Sequence, residues 1–474
     1  MTSPIIMWFR RDLRLGDHPA LTAACENGRP VIPVFIFDEL VDGLGAAPKF
    51  RFGLSVGDLA RELSSRGSRL VLRKGRAIDV LTDLIRETGA TEVHWSRAYD
   101  PDAKDRDTTI KAALKEAGIS AVSHPGHVLF EPWTVETKTG GFYRVFTPMW
   151  KSVRNTEVSA CLPEPDLIPA PNAWPDSDDL TLLNMSKDMR RGAEIVHQHC
   201  VVGQTAAADR LSEFIETRIA RYSDDRDFPG VKATSGLSEN LTYGEISPRQ
   251  CWHAGWEAFR QGHDQAEVFL KELVWREFAY HLVFHTPHIV SRNWREEWDR
   301  FPWNTDEAHP HVVAWKQGRT GIPFVDAAMR EMYVTGVMHN RSRMIVASYL
   351  TKNLMSHWKI GERWFADCLI DWDPASNAMG WQWAAGSGPD AAPYFRVFNP
   401  VTQLDKFDRD GVYQKSWIAE GYGQPSDTAL SYFDAVPKHW RLSPANTYPS
   451  PLVTPEAGRA RALEAYATRE KVKA

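Results

Sequence analysis

The sequence predicts an α/β N-terminal domain, a doubly wound parallel sheet, joined by a long linker to an all-helical domain. Three features predict it. Strand-like and helix-like segments alternate strictly over residues 1–130, five prolines crowd residues 161–175, and apolar residues recur at helical spacing almost throughout after residue 205. Strict alternation implies right-handed βαβ units and hence a parallel sheet, whose ligand would sit beyond the carboxyl ends of the strands. The expected domains are 1–130 (α/β), 131–204 (connector) and 205–474 (helical).

Each element follows from its residues. IIMWF (5–9), VIPVFIF (31–37), RLVL (69–72) and TEVHW (91–95) are β-branched and aromatic runs of strand length. LSVGDLARELSSRG (54–67), AIDVLTDLIRETG (77–89) and DTTIKAALKEAG (107–118) place apolar residues on one helix face and close on a glycine. Neither G-x-G-x-x-G nor a P-loop follows any of these strands, so the usual phosphate cradles of such sheets are not the reason for this domain. CLPEPDLIPAPNAWP (161–175) reads as an extended connector. Beyond it, ADRLSEFIETRIARY, AEVFLKELVWREFAYHLVFH and SRMIVASYLTKNL read as helices.

Composition narrows the function classes. With 56 basic and 61 acidic residues the net charge is −5, so any grip on nucleic acid has to come from a local cluster of Lys and Arg. The five cysteines are scattered with no C-x-x-C pair, which reads as a reducing, cytoplasmic chain with free thiols, and no apolar run is long enough for a membrane span. Tryptophan is the outlier: 14 of its 19 occurrences lie after residue 250.

Several segments carry unusual chemistry. In KELVWREF, helical spacing puts Glu272 and Trp275 on one face, with Arg276 beside them. In MHNRSRMIV, Asn340, Arg343 and Met344 share a face, and a buried amide and guanidinium both need partners. Asp371 and Asp373 in IDWDPASNAMGWQW could meet Arg343 and ligand hydroxyls, and Asn377 could offer its amide to a ring nitrogen. No histidine stands near these acids at ligand spacing, which speaks against a metal. TSGLS (234–238) is a hydroxyl-rich loop ahead of a helix, suited to cradling phosphate through backbone amides. Arg396 lies between aromatics in DAAPYFRVFNP, a pattern that suits gripping phosphates beside stacked bases.

In order along the chain, RRDLRLGDHPAL, RYSDDRDFPG, TSGLSENL, GEISPRQ, ELVWREF, TGIPFVDAAMR, MHNRSRMI, IDWDPASNAMGWQWAAGSG and DAAPYFRVFNP resemble the DNA photolyase and cryptochrome family. The resemblance implies an α/β domain for an antenna pigment and a helical domain that holds FAD. By motif match, Tyr222, Thr234, Ser235, Gly236, Leu237 and Ser238 would bind the FAD phosphates, Arg343, Asp371 and Asp373 would line the flavin, and Asn377 would face its N5. Trp381, Trp358 and Trp303 would pass electrons to the flavin. Relatives acting on six-four photoproducts carry histidines at the positions of Asn340 and Met344. With Glu272, Trp275 and Trp383 also present, the pattern resembles that of a cyclobutane pyrimidine dimer photolyase.

The implied activity is light-driven repair by electron transfer from excited reduced FAD to a flipped-out dimer. A blue-light photoreceptor without repair is the alternative. Glu272, Trp275, Asn340, Met344 and Trp383 would touch the dimer, and Arg226, Arg276, Arg341, Arg396 and Gln403 would hold the damaged DNA. The chain would act as a monomer, free of membrane, at the nucleoid if bacterial. The antenna is expected near WSRAYDPDAKDRD (95–107), and WSRAYDP and GEISP resemble the photolyase branch allied with plant cryptochromes, which implies methenyltetrahydrofolate in preference to a deazaflavin. Three positions depart from the family pattern: relatives usually carry arginine at Gly236 and proline at Glu239, and asparagine is common at Ser376.

Overall fold

The computed structural model describes residues 2–390 and 395–468. Two compact units emerge: Met1–Asp188 with Val201–Ala220 and Ser235–Pro287, and Met189–Cys200 with Arg221–Thr234 and His288–Ala474.

The first unit is built on five parallel strands, β1 (Ile5–Phe9), β2 (Val31–Phe37), β3 (Val71–Lys74), β4 (Glu92–Ser96) and β5 (Ser120–His124), in the order β3-β2-β1-β4-β5. β1 and β2 are buried at every residue because helices cover both faces, which is why they read as unbroken apolar runs. Alternation along β1 sends Ile5, Met7 and Phe9 into one core and Ile6 and Trp8 into the other. β5, with the sequence SAVSH, is the strand that apolar patterning does not announce. The sheet ends at His124, and the segment after it carries short helices at Phe146–Val153, Leu180–Leu183 and Gly192–His197. The proline-rich stretch lies along the sheet: Pro169 accepts from the Val31 N–H at 2.7 Å, and Ile168 enters the core.

The same unit holds a buried ion-pair ladder. Arg51, on the Ala46–Ser65 helix and with a fully buried side chain, donates to Glu239 at 2.8 Å and to Glu245 at 2.7 Å. Glu239 lies in the first turn of the short Ser238–Tyr243 helix and Glu245 two residues past its last, so the guanidinium ties both ends of the helix. Glu239 is also paired with Arg210 at 2.8 Å, and Glu245 also accepts from the Asn240 amide at 2.6 Å.

The second unit is helical. Its core gathers Trp298, Trp303, Trp315, Trp358 and Trp381 around the Pro323–Thr335 helix. The Asn340–Ser348 helix passes into a π-helical stretch at Tyr349–Asn353. The Trp358–Cys368 helix packs on the Pro374–Ala385 helix, whose start is set by Asp373 accepting from the Ser376 N–H at 2.8 Å and by Pro374 in the first turn. Gly361 allows this contact: a Cβ there would stand 2.0 Å from Cη2 of Trp381.

Two predictions follow from packing. Arg51→Ala removes the cation shared by two buried carboxylates, leaving Glu239 to Arg210 and Glu245 to the Asn240 amide, and should lower stability by about 3–5 kcal/mol in urea denaturation. Gly361→Ala should cost about 1–3 kcal/mol by overpacking against the indole. Adding Trp381→Phe, which shortens the ring at the point of collision, should recover part of that loss. Equal melting points for Gly361→Ala and the wild type would contradict the close approach.

Candidate functional site

The Pro374–Ala385 helix turns two faces to two tasks. On the side packed against the Trp358–Cys368 helix lie Asn377 and, one turn on, Trp381. Asn377 Nδ2 donates to the Glu362 carbonyl and to Glu362 Oε1, each at 3.1 Å. Both amide protons are thereby engaged, so Asn377 presents Oδ1 as an acceptor. Burial pushes the Glu362 carboxyl above its usual range. Trp381 meets Phe365 edge-on at 4.9 Å and Trp315 at 6.1 Å. On the opposite face Trp383 is half-buried beside exposed Gly380, where a Cβ would meet nothing within 4 Å.

Arg343 and Asp371 are joined at 2.7 Å, and Arg343 Nε donates to the Met338 carbonyl at 2.7 Å, which fixes the plane of the guanidinium. Asp373, at the head of the Pro374–Ala385 helix, completes an amide, guanidinium and two-carboxylate set within the second unit. Such a set suits the donor and acceptor edge of a flavin and the hydroxyls of its ribityl chain. On the Asn340–Ser348 helix, Asn340 is exposed and Met344 half-buried one turn on. Arg341 pairs with Asp227 and lies over the Phe407 ring at 4.6 Å. Tyr222 is buried under the Arg226 guanidinium at 5.2 Å, and Thr234 closes the same segment half-buried. Arg396 is exposed, and its backbone carbonyl accepts from Lys352 Nζ at 2.5 Å. Burial beside Arg396 brings the Lys352 ammonium down to about 7. Gln403 stands half-buried on the Pro400–Phe407 helix. Neighbouring residues 391–394 of the DAAPYFRVFNP segment lie outside the described residues.

Within the second unit, Gly361 and His357 stand between the three tryptophans Trp381, Trp358 and Trp303. Trp358 opens its helix one turn before Gly361, the residue in contact with Trp381. His357 then lies between Trp358, at 5.6 Å, and Trp303, at 5.0 Å. Trp303 donates its indole N–H to the Thr351 carbonyl at 3.0 Å.

The first unit carries the remaining residues. The loop of Ser235, Gly236, Leu237 and Ser238 turns through Gly236 at φ 67°, and Arg210 donates to the Gly236 carbonyl at 2.5 Å and to Glu239 at 2.8 Å. A guanidinium therefore stands over the glycine at which relatives carry arginine, contributed from another helix. The motif reading missed Arg210 because nothing in its own segment marks it. Trp275 stacks one ring face on Phe146 at 3.7 Å with 5° between planes, while the ring stays half-open, and Glu272 is half-buried one turn before it. Arg276 donates to the His127 carbonyl at 2.8 Å and reaches Glu277 at 3.3 Å, leaving 12% of its side chain exposed. It is less exposed than Arg341, at 18%. Glu277, also missed, accepts from the Leu129 and Phe130 N–H groups, and burial raises it to about 7.

At the sheet's switch point, where β1 and β4 lie side by side, the carboxyl ends are bridged from within. Arg10 reaches the Ser96 carbonyl and pairs with Asp107 at 2.7 Å, and Arg106 pairs with Asp38 at 2.6 Å. Both guanidiniums lie 4.7 Å from the Trp8 ring. Among the described residues there is no cluster that could hold a metal ion, and no helix is long and apolar enough to cross a membrane.

Comparison with known proteins bears on these arrangements. Residues 5–171 match the family described as DNA photolyase, and residues 269–468 match the FAD binding domain of DNA photolyase. A deoxyribodipyrimidine photo-lyase of Agrobacterium fabrum is 43% identical over 99% of both chains. Cryptochrome-2 of Arabidopsis thaliana is 34% identical over 97% of this chain and 78% of its own length. The crystal structure of a bacterial class III photolyase from Agrobacterium tumefaciens superposes with a TM-score of 0.90 at 42% identity, covering 100% of this chain and 98% of that one. With its parallel five-stranded unit, its helical unit and relatives of this identity over the whole length, the chain belongs to the DNA photolyase family and carries that family's FAD binding domain.

Proposed function

We propose that this protein uses light to split cyclobutane pyrimidine dimers in damaged DNA. The observation that carries the reading is the amide of Asn377, whose two N–H bonds to Glu362 leave Oδ1 to accept. An acceptor in that place suits a flavin N5 that bears a proton, the form a repair enzyme requires. When bound, FAD in its excited reduced form supplies one electron to the dimer and receives it back after both bonds of the cyclobutane ring have opened, so the reaction has no net redox change.

The chain's own residues bind, orient and exclude water. Arg343, held by Asp371 and the Met338 carbonyl, offers a fixed cation to the flavin edge, with Asp373 for the polar chain. Tyr222, Thr234 and the Ser235, Gly236, Leu237 and Ser238 loop are assigned to the phosphates, with Arg210 supplying their nearby positive charge. Trp383 and Met344 offer apolar surface to a flipped base and Asn340 an amide. Glu272 and the open face of Trp275 are assigned to the same substrate by motif. Arg226, Arg341, Arg396 and Gln403 are assigned to the DNA backbone, with Arg276 acting mainly through His127. Trp381, Trp358 and Trp303 are assigned to electron supply.

For the antenna we favour methenyltetrahydrofolate. The Arg10, Asp107, Arg106 and Asp38 bridges fill the carboxyl end of the sheet, and a deazaflavin seated there would have to break two ion pairs. The absorption spectrum of the purified protein should show a near-ultraviolet band beyond that of the flavin. A blue-shouldered deazaflavin band would reverse the choice.

Repair is tested directly by incubating the reduced protein with a thymine-dimer oligonucleotide and counting intact dimers after blue light and after darkness. Loss of dimers only in light is expected. Dimers untouched in both would favour the photoreceptor reading, to which the plant cryptochrome relative lends weight.

A further inference from the structure

We propose that Asn293 and Asp299 tune Trp358, making it a favoured seat for the electron hole between Trp381 and Trp303. The proposal rests on the assignment of these three tryptophans to electron supply.

Trp358 is fully buried, and its indole N–H donates to Asn293 Oδ1 at 2.7 Å. Asn293, 5% exposed, donates from Nδ2 to Asp299 Oδ1, also at 2.7 Å. The amide has one possible orientation here, because an indole N–H only donates and a carboxylate only accepts. A negative charge on an exposed residue is thus transmitted through a buried amide dipole to the nitrogen of a buried ring. Asp299 also acts on His357, the imidazole between Trp358 and Trp303. Burial, Lys359 and Arg363 bring that imidazole down to about 4, and Asp299 opposes them. Trp303 donates to a plain backbone carbonyl, and Trp381 has no carboxylate-backed acceptor among the described residues.

Loss of one electron turns an indole into a cation and strengthens the acidity of its N–H. The bond from Trp358 to Asn293 then changes from neutral to charge-assisted, in surroundings where such bonds are strong. The hole is stabilised on Trp358 relative to a ring without that acceptor. An amide is not a base at neutral pH, so the proton stays on the indole. A carboxylate in direct contact would take it and trap a neutral radical. Asn293 therefore passes on the charge of Asp299 and withholds its basicity.

The electrons balance. One would leave Trp381 for a light-excited flavin not yet fully reduced, which gains that electron, one would move from Trp358 to Trp381, and one from Trp303 to Trp358. The hole on Trp303 is filled by a small external reductant of the thiol or ascorbate class. No covalent bond and no proton changes hands at Trp358.

The test uses the FAD-loaded protein and flash spectroscopy of tryptophan radicals, with the Trp358 indole N–H resonance as a second readout that needs no light. Asn293→Leu should lower the yield of the long-lived separated hole about tenfold, equivalent to about 1.4 kcal/mol. Asp299→Asn, a change at an exposed position, should lower it about threefold. Both should move the N–H resonance upfield, and Asn293→Asp should replace the cation signal with that of a neutral radical. Trp358→Phe should abolish photoreduction. If it does, while Asp299→Asn and Asn293→Leu leave the yield and the resonance unchanged, the tuning pair is refuted and the relay stands. If Trp358→Phe photoreduces normally, the relay assignment falls and the proposal with it.

Discussion

The contact between Gly361 and the ring of Trp381 is the constraint on which the second unit's site depends. A side chain at residue 361 would occupy the volume of the indole, so the two helices reach their separation only because one of them carries glycine in its interior. Glycine there costs about 0.5–1 kcal/mol relative to alanine. Burying an indole recovers several times that, about 4–6 kcal/mol for the 150–250 Å² such a ring removes from water. With the helices at this distance, Asn377 can reach the carbonyl and carboxyl of Glu362, one residue from Gly361. The same contact orients the Pro374–Ala385 helix so that Trp383 and Gly380 turn the other way. Two tryptophans two residues apart thereby face different surroundings, one wholly packed and one half-open.

In the first unit the corresponding constraint is electrostatic. Arg51 binds two buried acids, and one of them, Glu239, also binds Arg210, whose guanidinium reaches over Gly236. The two departures from the family pattern in this loop are thus linked. Glutamate at 239 supplies the anchor for Arg210, and Arg210 supplies a cation where Gly236 supplies none. A loop charge that relatives encode at one position is assembled here from two. A buried network of this kind adds little net stability, since desolvation offsets most of the Coulomb gain, but it leaves the loop few alternative positions.

Elements legible in the sequence were those whose signal is local. β1 and β2 declared themselves because burial on both faces demands unbroken apolar runs, β4 through its Val93 and Trp95, and the helix after β3 because one face must be apolar. β5 did not, since SAVSH is an edge strand only half covered, where serine and histidine can stay. The helix expected from residue 54 begins at Ala46, its first turns disguised by Pro48, Lys49 and Arg51, two of them buried cations with distant acidic partners. The π-helical stretch at Tyr349–Asn353 was hidden inside a run that reads as continuous helix. At the site, contiguous motifs gave residues but not partners. Glu362, Arg210, Glu277 and Asn293 became visible only when segments 15 to 148 residues apart met in space. Gly361 could have been suspected, as a glycine inside an amphipathic helix that also carries Trp358 and Trp364.

Hydrogen bonding of buried indoles separates packing from function in this core. A buried tryptophan favours an acceptor for its N–H, and a backbone carbonyl serves for Trp303 with Thr351 and for Trp315 with Val346, while the Trp381 N–H meets no acceptor among the described residues. Trp358 instead takes a side-chain amide, itself nearly buried and itself requiring a partner, which it finds in an exposed carboxylate. For stability alone this is the costlier solution, because it orders two additional side chains to satisfy one N–H. Its physical distinction is that an anion's potential reaches the ring through a group that cannot accept the proton. That property has value only if the ring carries positive charge during the working cycle, as the proposed place of Trp358 between Trp381 and Trp303 in the electron supply requires.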